Sequence, residues 1–353
     1  MIVDPGTSTG REKDTFYSPI NYTFYKRQPY QSLNKIGKGV RLLQVTQAQL
    51  GAERVFTLMD EVPLAGARNT YTAISYCAGD PSKTQSLLVN GIRFNAFANL
   101  GRAIDETCDY LSLKHGTLSH LLWVNQICIN RSDSSERSHQ VGFMYDIYEN
   151  AREVAICLSV ERCPHYALPW IRSLDIHKVL DEGRTHTNGR YYKDNPLRTL
   201  ESDQRRVEHV VSHKDYFSGT YISSVKEKIR HQIGNTTSCN GLLDVVNMLK
   251  QPWWTRAWIV QELVASRQAT FIYGGYSVSC DLLSEAVFAI ASLKDDIRNN
   301  VFGIQLLRHH WTFAASTATS VLKLKKPDVI EREIKETLNH SRQCQASDKR
   351  DHV

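Results

Sequence analysis

Glu262 is the residue of this sequence best suited to chemistry, because a tryptophan, Trp258, stands four positions before it. On a helix that spacing puts both side chains on one face, where the indole would shield the carboxylate and offer a stacking surface. A carboxylate so placed can stabilise positive charge developing on a bound substrate. The structural alternative is an ion pair with nearby Arg256 that holds the helix in place. From spacing alone the ion pair has the stronger claim, since such pairs also perturb carboxylates. Cys128, between Ile127 and Ile129, has no neighbouring histidine or helix start to lower its pKa and reads as a core thiol. Gly79-Asp80 could let the backbone approach a phosphate, but Gly-Asp-Pro is equally an ordinary turn. Neither G-x-G-x-x-G nor G-x-x-x-x-G-K-[ST] occurs, which argues against a tightly held dinucleotide or a P-loop nucleotide. His309 and His310 lack metal-ligand spacing, so neither a metal nor a tightly bound cofactor is expected.

The elements that must position these residues alternate. Apolar runs at 71–77, 121–129, 154–159 and 269–273 read as strands, with Ile74, Val124, Ile156 and Phe271 inside them. Between them, helical spacing runs from Asn99, as the cap, to Leu113, and again over 133–150. There Asp133 and Glu136 have the form of a capping box, and Val141, Met144, Tyr145 and Tyr148 fall on one face. Asn90-Gly91 between two short apolar runs is the strongest hairpin signal. Residues 40–45 and 55–58 read as a small antiparallel addition, and residues 1–29 as a mobile arm.

The stretch 163–240 is polar and reads as an inserted, partly helical subdomain, with helical candidates at 207–211 and 221–233. Leu242 to Leu249 reads as a helix ended by Pro252, with Trp253 and Trp254 as core anchors and a further helix from Trp258 to Ser266. Covering helices are expected over 281–322 and a charged tail over 323–353. Strand and helix in alternation imply an α/β fold with a mostly parallel sheet covered on both faces. Chemistry in such sheets collects at the carboxyl ends of the strands, where Cys77 to Asp80, Asn130-Arg131 and, at a helix start, Trp258 to Glu262 would lie.

At 353 residues, 41% of them hydrophobic and 23% charged, the chain can bury a substantial core. The net charge of +6 is spread among acidic residues instead of forming a stripe, so nucleic acid is not an expected partner. The eight cysteines lack C-x-x-C pairing and read as free thiols. No apolar stretch long enough to span a bilayer and no leader pattern is seen, which leads to the expectation of a cytoplasmic protein without a membrane partner.

Several ordered blocks resemble the fungal heterokaryon incompatibility domain. They are Ser75-Tyr76, Gly79-Asp80, Asn99-Leu100, Trp123, Cys128-Ile129-Asn130, Glu136-Arg137, Gln140-Val141, Met144, Ile147-Tyr148, Ala151, Arg256, Trp258 and Gln261-Glu262. The resemblance places the domain at about 30–280, with the insertion inside it. More distantly, Ile74 to Asp80 and Trp258 to Leu263 resemble the first strand and a Trp-to-Glu helix start of Toll/interleukin-1 receptor domains. That likeness implies a flavodoxin-like sheet and, in enzymatic members, a glutamate that helps cleave the nicotinamide–ribose bond of NAD. By resemblance Glu262 would then be catalytic, Trp258 its support, NAD the substrate, and Ser75, Tyr76, Gly79, Asp80, Asn130, Arg137 and Arg256 would contact that substrate. The implied function is non-self recognition leading to programmed cell death, with self-association and other incompatibility or signalling proteins as partners. Ala78 stands where the family has Trp, Asn125 where it has Asp, and Arg131 where it has Gln. These departures favour the rival reading, a non-enzymatic interaction module or a degenerate copy.

Overall fold

Three strands, Thr72–Tyr76, Glu153–Cys157 and Ala269–Tyr273, are buried at every position, as largely apolar strands are when both faces of a sheet are covered. They form the centre of the fold in a computed structural model that describes residues 19–27, 30, 33–34, 36, 38–80, 82–158, 166–174, 227–229, 236–256, 258–295, 299 and 315–325. In chain order the elements are α1 (Pro19–Arg27), β1 (Gly39–Val40), β2 (Leu43–Gln47), β3 (Arg54–Leu58), β4 (Val62–Pro63), β5 (Thr72–Tyr76), β6 (Thr84–Val89) and β7 (Ile92–Phe97). Next come α2 (Ala98–His115), β8 (Ser119–Trp123), α3 (Asn125–Cys128), α4 (Ser134–Gly142), α5 (Met144–Asn150), β9 (Glu153–Cys157) and α6 (Ala167–Ser173). The last are α7 (Thr236–Leu249), a 3-10 turn (Pro252–Thr255), α8 (Ile259–Ala265), β10 (Ala269–Tyr273), β11 (Tyr276–Ser279) and α9 (Cys280–Ala291).

Among the described residues the main sheet has nine strands in the order β11-β10-β9-β5-β8-β2-β3-β6-β7. Its centre, β8-β5-β9-β10, is parallel, with Ala73 opposite Trp123, Ile74 opposite Ala155 and Phe271 opposite Ile156. Taken in chain order these four strands lie as 2-1-3-4, the doubly wound order in which the connections change direction between the first and third strands. Here that point is the carboxyl end of β5 and β9. Antiparallel strands extend both edges: β11 beside β10, and β2 joining β8 to β3. The expected β addition is therefore continuous with the main sheet. The β6–β7 hairpin turns at Asn90 and Gly91, whose φ of 52° and 72° give the two left-handed positions such a turn requires.

The structure corrects several local expectations. The run 121–129 is a strand only to Trp123; the Val124 carbonyl accepts from the amides of Ile127 (3.1 Å) and Cys128 (2.8 Å), so a buried helical turn follows. Short apolar runs do not distinguish the two forms, and Val124 lies just outside the strand. The helix expected over 133–150 is two helices broken at Phe143. Val141 and Tyr145 are exposed, while Gln140, Met144, Ile147 and Tyr148 are buried. The physical reason is Gln140, whose Nε2 donates to the Gly39 carbonyl at 2.8 Å and turns that residue inward. Asp133 caps α4 as expected, but Glu136 does not reach back; it pairs with Arg41. Asn99 is not the cap of α2, which begins at Ala98 with no side-chain cap.

Part of the expected mobile arm is α1, packed on β7 with Phe24 buried. The terminal strand has a partner, β11, reached through Gly274-Gly275 at φ of 61° and 81°. The helical candidate 207–211 and the tail beyond 325 lie outside the described residues. Of the candidate 221–233, residues 227–229 are described and are helical.

Candidate functional site

The Pro252 turn sets the local geometry around Glu262. Proline starts the 3-10 turn, and Trp253 and Trp254 pack on β10, with the Trp254 ring stacked on Phe271 at 5.4 Å. The chain then extends through Arg256 and enters α8 at Ile259, leaving Glu262 in the first helical turn, where a carboxylate is favoured by the helix dipole.

Glu262 is only 1% exposed. Arg256 grips its carboxylate with two parallel bonds, Nη1 to Oε2 at 2.9 Å and Nη2 to Oε1 at 3.0 Å. Ser75 of β5 donates its hydroxyl to Oε2 and accepts the indole N–H of Trp253 at 2.7 Å. The serine thus passes the indole's hydrogen bond on to the carboxylate. Burial works against the Arg256 charge, but the carboxylate more than offsets it and holds the guanidinium pKa above its ordinary value. Two phenols complete the surroundings. Burial raises the Tyr76 pKa, with Arg131 and Arg256 opposing and Glu262 assisting. Burial, then Glu262, raises that of Tyr148, whose ring meets Trp123 edge-on at 5.5 Å. Both phenols stay neutral.

The expected site residues divide. Ser75, Tyr76, Arg256 and Glu262 converge at the carboxyl end of β5. Trp258 contributes its backbone carbonyl, 3.1 Å from the Glu262 amide, while the indole hydrogen-bonded into the network is that of Trp253, which the sequence marked only as a core anchor. Gly79 follows β5 at a φ of 81°, and a Cβ there would lie 2.5 Å from Asn99 Nδ2. That amide donates to the Cys77 carbonyl at 3.0 Å, which gives the Gly79 and Asn99 blocks one shared task, shaping the loop after β5. Asp80 bonds the Ser82 amide (2.9 Å) and hydroxyl (2.7 Å); these bonds, first the amide, lower its carboxyl pKa. Asn130 is likewise a turn residue, accepting from Ser132. Arg137 lies in α4.

A second buried pair was missed. Arg41 binds Glu136 through Nη1 to Oε1 (2.7 Å) and Nη2 to Oε2 (3.0 Å), and its Nη1 reaches the Cys128 carbonyl at 3.3 Å. Glu136 also accepts from the Asn130 amide at 2.6 Å, and the guanidinium lies over the Tyr30 ring at 4.6 Å. This node ties the Cys128-Ile129-Asn130 block to the start of β2. An arginine inside the apolar run Val40 to Val45 was the available signal, since a charge there needs a buried partner.

Residues 71–262 match the family model described as heterokaryon incompatibility protein (HET). The chain belongs to the heterokaryon incompatibility family. The matched span opens beside β5 and ends on Glu262, so it contains Ser75, Trp253, Arg256 and Glu262. Heterokaryon incompatibility protein 6, OR allele, of Neurospora crassa is 32% identical over 126 residues, covering 34% of this chain and 18% of that protein's length. No solved structure matches the chain. Among the described residues of this heterokaryon incompatibility chain, no helix is long and apolar enough to cross a membrane.

Proposed function

We propose that this chain acts in fungal non-self recognition, promoting cell death when activated, and that it does so as a cytoplasmic, self-associating signalling module. Family membership supports the first part, together with the name of the Neurospora crassa relative. The observation that carries the second is the state of Glu262: buried, with both carboxylate oxygens held by Arg256 and one also bound by Ser75. A carboxylate that is to face a developing cation needs access to substrate, and this one faces a guanidinium instead. Ala78, partly buried against the core at the end of β5, leaves no indole there to form a wall of a site.

Cleavage of NAD is the second reading, favoured by where the network lies. It sits at the carboxyl end of β5, beside the point where the strand order reverses. In that reading Arg256 swings away, Glu262 stabilises the oxocarbenium-like ribose, and Tyr76 offers a ring to the nicotinamide. One experiment separates the two: purified protein incubated with NAD, in parallel with expression in a fungal host. Loss of viability without nicotinamide release supports the module. Nicotinamide release that the Glu262→Gln variant abolishes would replace it with the enzyme.

A further inference from the structure

Among the described residues, the edge of the sheet at β7 is met by side chains and no further strand. In the β6–β7 hairpin the residues opposite one another at Val89–Ile92, Leu87–Phe94 and Gln85–Ala96 flank positions 93, 95 and 97. The backbone groups of those positions point outward, as alternation along an antiparallel strand requires. Asn21 of α1, 0% exposed, occupies the middle one: its Nδ2 donates to the Asn95 carbonyl at 2.9 Å and its Oδ1 accepts the Asn95 amide at 2.7 Å. At the next outward position, Gln126 Oε1 accepts the Phe97 amide at 3.4 Å. Phe24 anchors the helix over the strand, its ring 4.8 Å from that of Phe94.

The two bonds made by the Asn21 carboxamide are those of a hydrogen-bonded pair in an antiparallel sheet, donor and acceptor exchanged with a single residue. We propose that β7 is a strand-pairing surface for a second copy of this chain, kept closed by α1, whose Asn21 imitates the missing strand. A pairing of β7 with β7 about a two-fold axis through Asn95 reproduces both bonds, and the interface is self-complementary as a two-fold contact must be. In that register Arg93 lies across from Phe97, so no like charges oppose one another. Unprotected edges of this kind invite association, and natural sheets cover them for that reason. This surface supplies the self-association of the preceding reading and rests on it for its purpose, though its test is separate.

The test compares the full chain with the Asn21→Ala/Phe24→Ala variant by light scattering and hydrogen exchange. The wild type is expected as a monomer with slow exchange in α1. The variant should exchange at least tenfold faster in α1, double its mass, and keep Asn95 protected in the dimer. Adding Asn95→Pro, which deletes the outward N–H at an edge position that tolerates proline, should return it to monomer. Three results overturn the proposal: unchanged exchange in α1, release of α1 without a dimer, or a dimer that survives Asn95→Pro. If the double variant does not fold, Asn21→Asp serves with the same readouts, since it sets a carboxylate against the Asn95 carbonyl while Phe24 stays in place. None of these readouts involves nicotinamide or viability, so failure here leaves the signalling reading standing, and failure there leaves this surface standing.

Discussion

Glu262→Gln asks whether the carboxylate is a clamp or a catalyst. The substitution keeps the size of the side chain and one acceptor, but removes the charge faced by Arg256 and Ser75. It also turns an amide N–H toward groups that are themselves donors. Deleting one member of a buried ion pair costs about 3–5 kcal/mol, because the remaining charge stays buried and unpaired. Arg256 is 18% exposed, so water relieves part of this, and a loss of about 2–4 kcal/mol is expected. Urea unfolding followed by tryptophan fluorescence reads it, with Trp253 inside the network as a reporter. Arg256→Met should destabilise as well, and the double variant should lose less than the sum, with a coupling of about 2 kcal/mol. An unfolding midpoint equal to that of the wild type would refute the clamp. Joined to a fall in nicotinamide release of roughly two to three orders of magnitude, it would make the carboxylate catalytic.

Acid should weaken the fold through Glu153, which is buried at the start of β9. Burial alone would raise its pKa, but His115 at 3.7 Å, Lys114 at 2.9 Å and the Tyr110 hydroxyl at 2.9 Å outweigh burial and hold it at about 2, below its ordinary 4.5. A depressed pKa stabilises the fold above pH 4.5 and loses that stabilisation as pH falls toward 2, amounting to about 3 kcal/mol. Stability measured across that range should slope steeply in wild type and less in Glu153→Gln. Gly79→Ala should cost about 1–2 kcal/mol, since its φ is 81° and the new Cβ meets Asn99; thermal unfolding at neutral pH reads it. Among the described cysteines, native alkylation followed by mass spectrometry should label the partly exposed Cys77 first. Cys108, Cys128 and Cys280, whose pKa burial pushes up to about 12, should react only after denaturation.

Local patterns carried a large share of the architecture. Largely apolar runs marked β5, β9 and β10, because a strand covered on both faces has no solvent-facing side to fill with polar residues. Asn90-Gly91 marked its hairpin because two successive left-handed positions admit few residue pairs. Asp133 marked the start of α4, because a cap bonds amides within three residues of itself. Each of these is settled within a few positions of chain. Which face of α4 turns inward was not, because it depends on Gln140 finding the carbonyl of Gly39.

The same limit applied to the site. The pairing of Glu262 with Arg256 spans six residues and was legible as one of two alternatives. Its bond to Ser75 spans 187 residues, and the indole that completes the network was that of Trp253, not Trp258. The sequence by itself determined the family, the alternating elements and the residues able to carry charge. Only the tertiary structure decided which charges meet and whether they are free to act. The reason is physical: propensity and periodicity act over a turn of helix or a few strand residues, whereas burial and ion pairing are settled by segments that meet only when the sheet closes.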